Sequence, residues 1–185
     1  NRPTSYWCYK VVEENLWIAM IGIIGDWYVP EFIDQFRYKE LIGEAKTPPD
    51  ILFKTRFGSL IRIYNFVLKG KTSDVHKIIK ILIEIEDPYE ILDQKTARGK
   101  YIYKIFEGVN EHYEKLIKKA LTTGVDEGVY LFKYPASKYS FTGEVANEIL
   151  SKVNAKIVII AREKDGDMRL SLRSSKVKVL PILRK

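Results

Sequence analysis

An aspartate that follows two glycines at the end of an apolar run is the first place where this sequence could do chemistry. In Ile21-Gly22-Ile23-Ile24-Gly25-Asp26 the glycines permit tight approach, and a carboxylate fixed on a buried scaffold can ligate a divalent metal. The same residue suits a cap on the following turn or a place in solvent, and spacing alone favours the cap. The second place is Asp165-Gly166-Asp167-Met168-Arg169-Leu170-Ser171-Leu172-Arg173-Ser174-Ser175, which follows the apolar run Lys156–Ala161. An acidic glycine turn between two such segments reads as a β-hairpin. Strand alternation then puts Arg169, Ser171 and Arg173 on one face and Met168, Leu170 and Leu172 on the other. The expectation is that the apolar set faces the core and the guanidinium and hydroxyl donors face outward. Arginine binds phosphate bidentately and serine adds neutral hydrogen bonds. An ordinary solvated outer face has the same pattern, so both readings stand.

Other chemistry is scarce. His76 and His112 are the only histidines, and neither has a cysteine or carboxylate at metal spacing. Both are expected at the surface. The aromatic residues near the start, Tyr6, Trp7, Tyr9, Trp17, Trp27 and Tyr28, suit a core better than a base-stacking platform. No phosphate-binding glycine loop, nucleophile elbow or zinc-protease motif occurs. A self-contained active site is therefore hard to build from this chain.

Composition narrows the class. The net charge is +7 over 185 residues, and its distribution is uneven. Residues 1–50 carry 5 basic and 8 acidic side chains, residues 51–123 carry 14 and 9, and residues 124–185 carry 12 and 7. The acidic part can attract cations and the basic parts phosphates. Cys8 is the only cysteine, which excludes an internal disulfide and a thiolate zinc site and fits a reducing, cytoplasmic setting. Abundant Lys, Glu and Ile with scarce Gln and Met lean toward a thermophilic source. No apolar run is long enough to span a membrane, so no membrane partner is expected. The first residue is Asn1 rather than Met, which suggests a fragment or a processed chain.

The elements that must position these residues come in two styles. Pro3-Thr4-Ser5 starts a helix, Asn15 breaks it, and Leu16–Ile24 forms a second one that is apolar all round and hence buried. Pro30 opens a short amphipathic helix to about Leu41, and residues 46–50 read as a linker. Residues 51–123 are helical. One stripe is Val75, Ile78, Ile79, Leu82 and Ile85; a longer one is Ile102, Ile105, Phe106, Val109, Tyr113, Leu116, Ile117 and Ala120. No internal repeat is expected. Beyond Gly124 the order is strand (129–132), helix (143–153) and the two hairpin strands, and Pro181 starts a further helix. The fold class is thus α/β: a helix-rich first part followed by a small α/β domain.

Two segments together resemble the DHH phosphoesterases, especially the archaeal RecJ-like single-strand nucleases. Asn1-Arg2-Pro3-Thr4-Ser5-Tyr6 is similar to the helix start just downstream of that family's Asp-His-His motif, and Ile21-Gly22-Ile23-Ile24-Gly25-Asp26-Trp27 to its last metal-binding motif. Residues 128–185 resemble its accessory substrate-binding domain, with Arg169-Leu170-Ser171-Leu172-Arg173-Ser174-Ser175 at the phosphate-contacting strand. The resemblance implies three parts: 1–50 as the end of a DHH lobe, 51–123 as a helical connector, and 124–185 as an accessory domain incomplete at its C-terminus. It implies Asp26 as a ligand of Mn2+ or Mg2+, and Arg169, Ser171, Arg173 and Ser174 as contacts to single-stranded DNA or RNA ends. The family's Asp-x-Asp, Asp-His-His and Gly-Gly-His segments are absent, so the implied manganese site needs a missing N-terminal DHH lobe, and the isolated chain is expected to be inactive. Two further roles follow from the same resemblance. One is a catalytically inactive replication scaffold bound to replicative helicase components. The other is a phosphodiesterase of cyclic dinucleotides or very short RNAs, against which the long helical middle argues.

Overall fold

A computed structural model describes residues 2–179, which fall into two compact units, Asn1–Val109 and Asn110–Lys185. The expectations at Asn1 and Pro181 lie outside the described residues.

In the first unit, α1 (Thr4–Val12) turns into α2 (Leu16–Gly25) through Glu13 and Asn15, both in the left-handed region with φ 54° and 50°. Asparagine tolerates that conformation better than most side chains. Trp17, Met20, Ile21, Ile23 and Ile24 of α2 are buried, while Ile18 is exposed, so one side of the helix is left open. The chain between Pro30 and Leu41 is not the single helix expected. It is a 3-10 turn at Ile33–Gln35, an extended residue at Phe36, and the one-turn helix α3 (Lys39–Ile42). Phe36 and Tyr38 both enter the core, and Phe36 packs 4.9 Å from the Phe57 ring. Residues two apart do not share a helix face, so burying both requires the break.

The expected linker at 46–50 is instead the start of α4 (Pro48–Lys54). Thr47 Oγ1 accepts the Asp50 N–H, and Pro48 and Pro49 occupy the first turn, where a missing N–H costs nothing. There follow α5 (Arg56–Val67), α6 (Thr72–Ile83), α7 (Pro88–Leu92) and α8 (Ala97–Leu121). Helices α4 and α5 pack on α2, so the residues on either side of position 50 share one core.

Contrary to the expectation of no repeat, one helical corner occurs twice. Thr47 caps α4 and Asp87 caps α7, each followed by proline. Ile51-Leu52 and Ile91-Leu92 then sit in matching places. Thr55 and Thr96 open the longer helices that come next, and each hydroxyl accepts the N–H of a glycine three residues on, Gly58 and Gly99, at 3.0 Å. A Cβ at Gly58 would lie 2.3 Å from the carbonyl oxygens of Ile51 and Leu52, and one at Gly99 would lie 1.8 Å from the Glu90 oxygen. Glycine is required because backbone meets backbone there. Outside these corners the two stretches differ in sequence.

The second unit starts within α8, whose Tyr113, Ile117 and Ala120 are buried as the stripe requires. The sheet has strand order β1 (Val125–Asp126), β2 (Val129–Pro135), β3 (Ile157–Lys164) and β4 (Asp167–Arg173). Strands β2 and β3 are parallel and joined through α9 (Thr142–Lys152); the other pairs are antiparallel hairpins. Both hairpin turns, Glu127-Gly128 and Asp165-Gly166, have positive φ at both residues, the geometry that matches strand twist. The mixed α/β class is as expected, with β1 as an addition.

Tyr130, Phe132 and Tyr134 of β2 and Val158 and Ile160 of β3 share the covered face; α9, with Val145, Ala146 and Ile149 buried, packs on β3 and β4, and the Tyr130 hydroxyl donates to the Ala120 carbonyl of α8. The Tyr113 hydroxyl donates to Glu148 at 2.7 Å and Lys152 Nζ reaches the same carboxylate at 2.6 Å, so this buried acid is paired. The register corrects the expected facing of β4. Val158 lies opposite Arg173, Ile160 opposite Ser171, and Arg162 opposite Arg169. The donor set therefore shares the helix-covered face. Met168, 45% exposed, and Leu170, 56% exposed, lie on the open face with Leu172.

Candidate nucleic-acid interface

The covered face becomes polar at its far edge. One row across the sheet is Tyr134, Arg162 and Arg169; the next is Phe132, Ile160 and Ser171; the third is Tyr130, Val158 and Arg173. The start of α9 stands over the first row, because the Tyr134 hydroxyl and Thr142 Oγ1 share a 2.9 Å hydrogen bond. Phe141 precedes α9 and makes no side-chain cap, so the N-terminus of this helix lies beside the same row.

Each arginine is held differently. Arg162 is 8% exposed and its Nη2 donates to the Ser137 carbonyl at 3.1 Å, while its Nε is buried without a partner among the described residues. Arg173 donates from Nε to Asn147 Oδ1 and from Nη1 to the Leu172 carbonyl, both at 2.9 Å. Its Nη2 lies 3.9 Å from where a Cβ on Gly143 would stand, beside the first turn of α9. Arg169 is exposed and Ser171 half-buried, and neither makes a side-chain hydrogen bond or ion pair among the described residues. Glu144, also in that first turn, is the acidic neighbour.

Three guanidinium groups, one hydroxyl and a helix N-terminus thus occupy one sheet edge. Such a set holds an anion by charge-assisted hydrogen bonds, and phosphate matches its planar donor pairs. Ser174, expected with the others, is engaged elsewhere. Its hydroxyl donates to the Lys156 carbonyl and accepts the N–H groups of Lys176 and Val177, which fixes the turn after β4. Arg162 was missed in the sequence. The two-residue Asp165-Gly166 turn carries the signal: counting back from it pairs position 162 with 169.

Asp26 stands apart in the first unit. Its backbone N–H closes α2 by donating to Gly22 at 3.0 Å, and Trp27 follows with φ 63°. The carboxylate is exposed and makes no hydrogen bond among the described residues, so the backbone caps the helix and the side chain does not. Of the two glycines, Gly22 is the close approach: a Cβ there would lie 2.8 Å from Ser5 Cβ. Among the described residues no group of three or more His, Cys, Asp or Glu side chains is placed to hold a metal ion. One exposed carboxylate does not fit a manganese or magnesium centre by itself, since such ions take several oxygen donors.

Two other carboxylates of this unit are committed. Glu31 accepts the Tyr6 hydroxyl at 2.5 Å and lies 3.6 Å from Arg2; the hydroxyl bond holds its carboxyl below the usual range. Glu40 accepts the Tyr89 hydroxyl, which raises that phenol to about 12. His76 and His112 are exposed, the latter ring against Tyr139. No described helix is long and apolar enough to cross a membrane. No family model matches this chain, and no curated protein matches it.

Proposed function

We propose that this chain is the substrate-holding part of a DHH-family, RecJ-like phosphodiesterase that acts on ends of single-stranded DNA or RNA. The observation that carries the reading is the set Arg162, Arg169, Ser171 and Arg173 on one sheet face beside the first turn of α9. A terminal phosphate placed there meets bidentate donors from the arginines, a neutral donor from Ser171 and the helix N-terminus. The basic balance of residues 124–185 adds a field that draws a polyanion to the site.

In this reading the chain binds and orients, and the bond-breaking donors come from outside it. Asp26 contributes one carboxylate to a metal centre completed by other donors. No catalytic step is assigned to a residue of this chain.

The test uses the full chain and a fluorescent 5′-phosphorylated oligothymidylate, with affinity measured across a salt series. Arg169→Ala and Arg173→Ala are each expected to lower the salt slope by about 0.7, the value for one phosphate contact on a single strand. Slopes equal to that of the unaltered chain would remove the phosphate assignment.

A further inference from the structure

A second feature of the Asn110–Lys185 unit lies on the opposite edge of the sheet, away from Arg169 and Arg173, and is independent of the nuclease reading. Strand β1 pairs only with Val129 and Tyr130, so the rest of β2 has an open edge. Backbone bonds show which residues face it. The Ala136 N–H donates to the Glu163 carbonyl, and the Ile157 N–H donates to the Gly128 carbonyl. Even-numbered residues of β2 therefore bond toward β3, and by alternation Leu131 and Lys133 direct their N–H and C=O groups outward. The Val125–Tyr130 pairing sets Leu131 opposite Gly124 at the end of β1, so Lys133 is the residue of β2 whose outward N–H and C=O no other backbone group meets among the described residues.

Beside this edge runs a cleft of about 370 Å3 whose other wall is α8. Leu116, Phe132 and Phe141 form its apolar floor, and Lys115, Lys119 and Lys133 its rim. No aspartate or glutamate lines it. Lys115 is paired with Glu111 at 2.6 Å, whereas Lys119 and Lys133 have no acidic partner among the described residues. Open strand edges are usually covered or blunted. Lys133 and Pro135 blunt this one in part, no other strand covers it beyond β1, and it sits against an apolar groove.

We infer that the open edge of β2 at Leu131–Pro135 binds an extended acidic peptide from a partner protein, which adds to the sheet as a strand. The backbone N–H and C=O of Lys133 anchor the added strand, alternate apolar side chains of the peptide enter the groove toward Leu116 and Phe132, and its carboxylates meet Lys115, Lys119 and Lys133. The charge of the rim selects an acidic partner over a basic one. A nucleic-acid strand suits the cleft less well. Phe132, Tyr134 and Phe141 are all buried and present little ring surface for base stacking.

The experiment follows the backbone amide of Lys133 by hydrogen exchange in the isotope-labelled full chain. The probe is a synthetic peptide of about eight residues alternating valine and aspartate, long enough to cover the edge. Exchange at this amide is expected to slow by about tenfold or more at saturation, because it gains a ladder partner. A valine–lysine peptide is expected to give no protection, and Lys119→Glu to weaken the aspartate peptide about tenfold. Lys133→Pro deletes one outward N–H without touching the bonds to β3, and is expected to weaken binding more than Lys133→Gln does. Unchanged exchange at the Lys133 amide overturns the proposal, as does equal protection by the lysine peptide. Oligothymidylate shifting Lys115, Lys119 and Lys133 resonances while the aspartate peptide shifts none overturns it too, and makes the cleft a nucleic-acid surface.

Discussion

Arg162 and Arg169 face each other across the β3–β4 ladder, so two guanidinium side chains rise from neighbouring strands on one side of the sheet. Like charges so placed repel unless an anion lies between them. Arg162 is also nearly buried with an unpartnered Nε, a costly arrangement for a purely structural residue. Arg162→Met keeps the volume and removes the charge. It is expected to change stability by no more than about 1 kcal/mol, because a buried charge is replaced by a packed apolar chain. Affinity for a 5′-phosphorylated oligothymidylate is expected to fall about tenfold. Thermal melting and anisotropy titration together read both effects; a large stability loss with intact binding would make Arg162 a structural residue.

The two repeated corners leave no room for a side chain. Gly58→Ala and Gly99→Ala each press a methyl group onto backbone carbonyls at 2.3 Å or less. Each is expected to cost about 3 kcal/mol or more, beyond the usual range of overpacking, since backbone yields less than side chains do. Gly25→Ala is the control: its Cβ would meet Ile61 at an ordinary 3.5 Å, and stability is expected to hold or rise slightly. Urea unfolding of the three variants decides; equal midpoints would show that the corners open at little cost.

Glu31 gives the first unit a pH-dependent contact. The Tyr6 hydroxyl and Arg2 favour its charged form, so its folded pKa lies below the unfolded value. The stability it contributes is present above the unfolded carboxylate value and is lost as pH falls through the folded one. Glu31→Gln is therefore expected to lower the melting temperature at pH 7, with the difference from the unaltered chain shrinking as pH drops below the ordinary glutamate range of about 4. A difference that persists undiminished at pH 2 would assign the effect to packing.

Asp26 is exposed, and its carboxylate holds nothing in place among the described residues. Asp26→Ala is expected to change unfolding free energy by less than about 0.5 kcal/mol, as surface substitutions do. In a complete enzyme of the proposed kind the same substitution is expected to abolish manganese-dependent cleavage. A clear stability loss in this chain would make Asp26 a structural cap instead.

Met168 and Leu170 are exposed on one sheet face, together with Val129 and Leu131 of β2. The chain is accordingly expected to bind a hydrophobic dye in its native state, and Leu170→Ser to reduce that signal. Dye fluorescence indistinguishable between the two chains would place the dye-accessible surface elsewhere.

Local pattern carried much of this fold and stopped at identifiable points. Alternation in β4 gives which residues travel together, and Arg169, Ser171 and Arg173 do share a face. It does not say which face a helix will cover, since that depends on where α9 lands after its crossover. Apolar Leu170 therefore ended outside and Arg173 beside α9. The linker reading of 46–50 failed because proline is both a breaker and the best first-turn residue; the Thr47 cap and Asp50 three residues on were the distinguishing signs. The helix expected from Pro30 to Leu41 failed because two aromatics two positions apart both had to enter the core. Arg162 was overlooked because its partner lies across a turn rather than along the chain.

The spacing between threonine and glycine in the doubled corner works as a fixed ruler. One added residue between Thr96 and Gly99 would rotate everything after it by about 100°. Ile102, Phe106 and Val109 would swing out of the core, and a bulky backbone position would arrive at the Glu90 carbonyl. Length variation among relatives of this chain should therefore collect in places such as the turn between Leu68 and Lys71, and spare both corners.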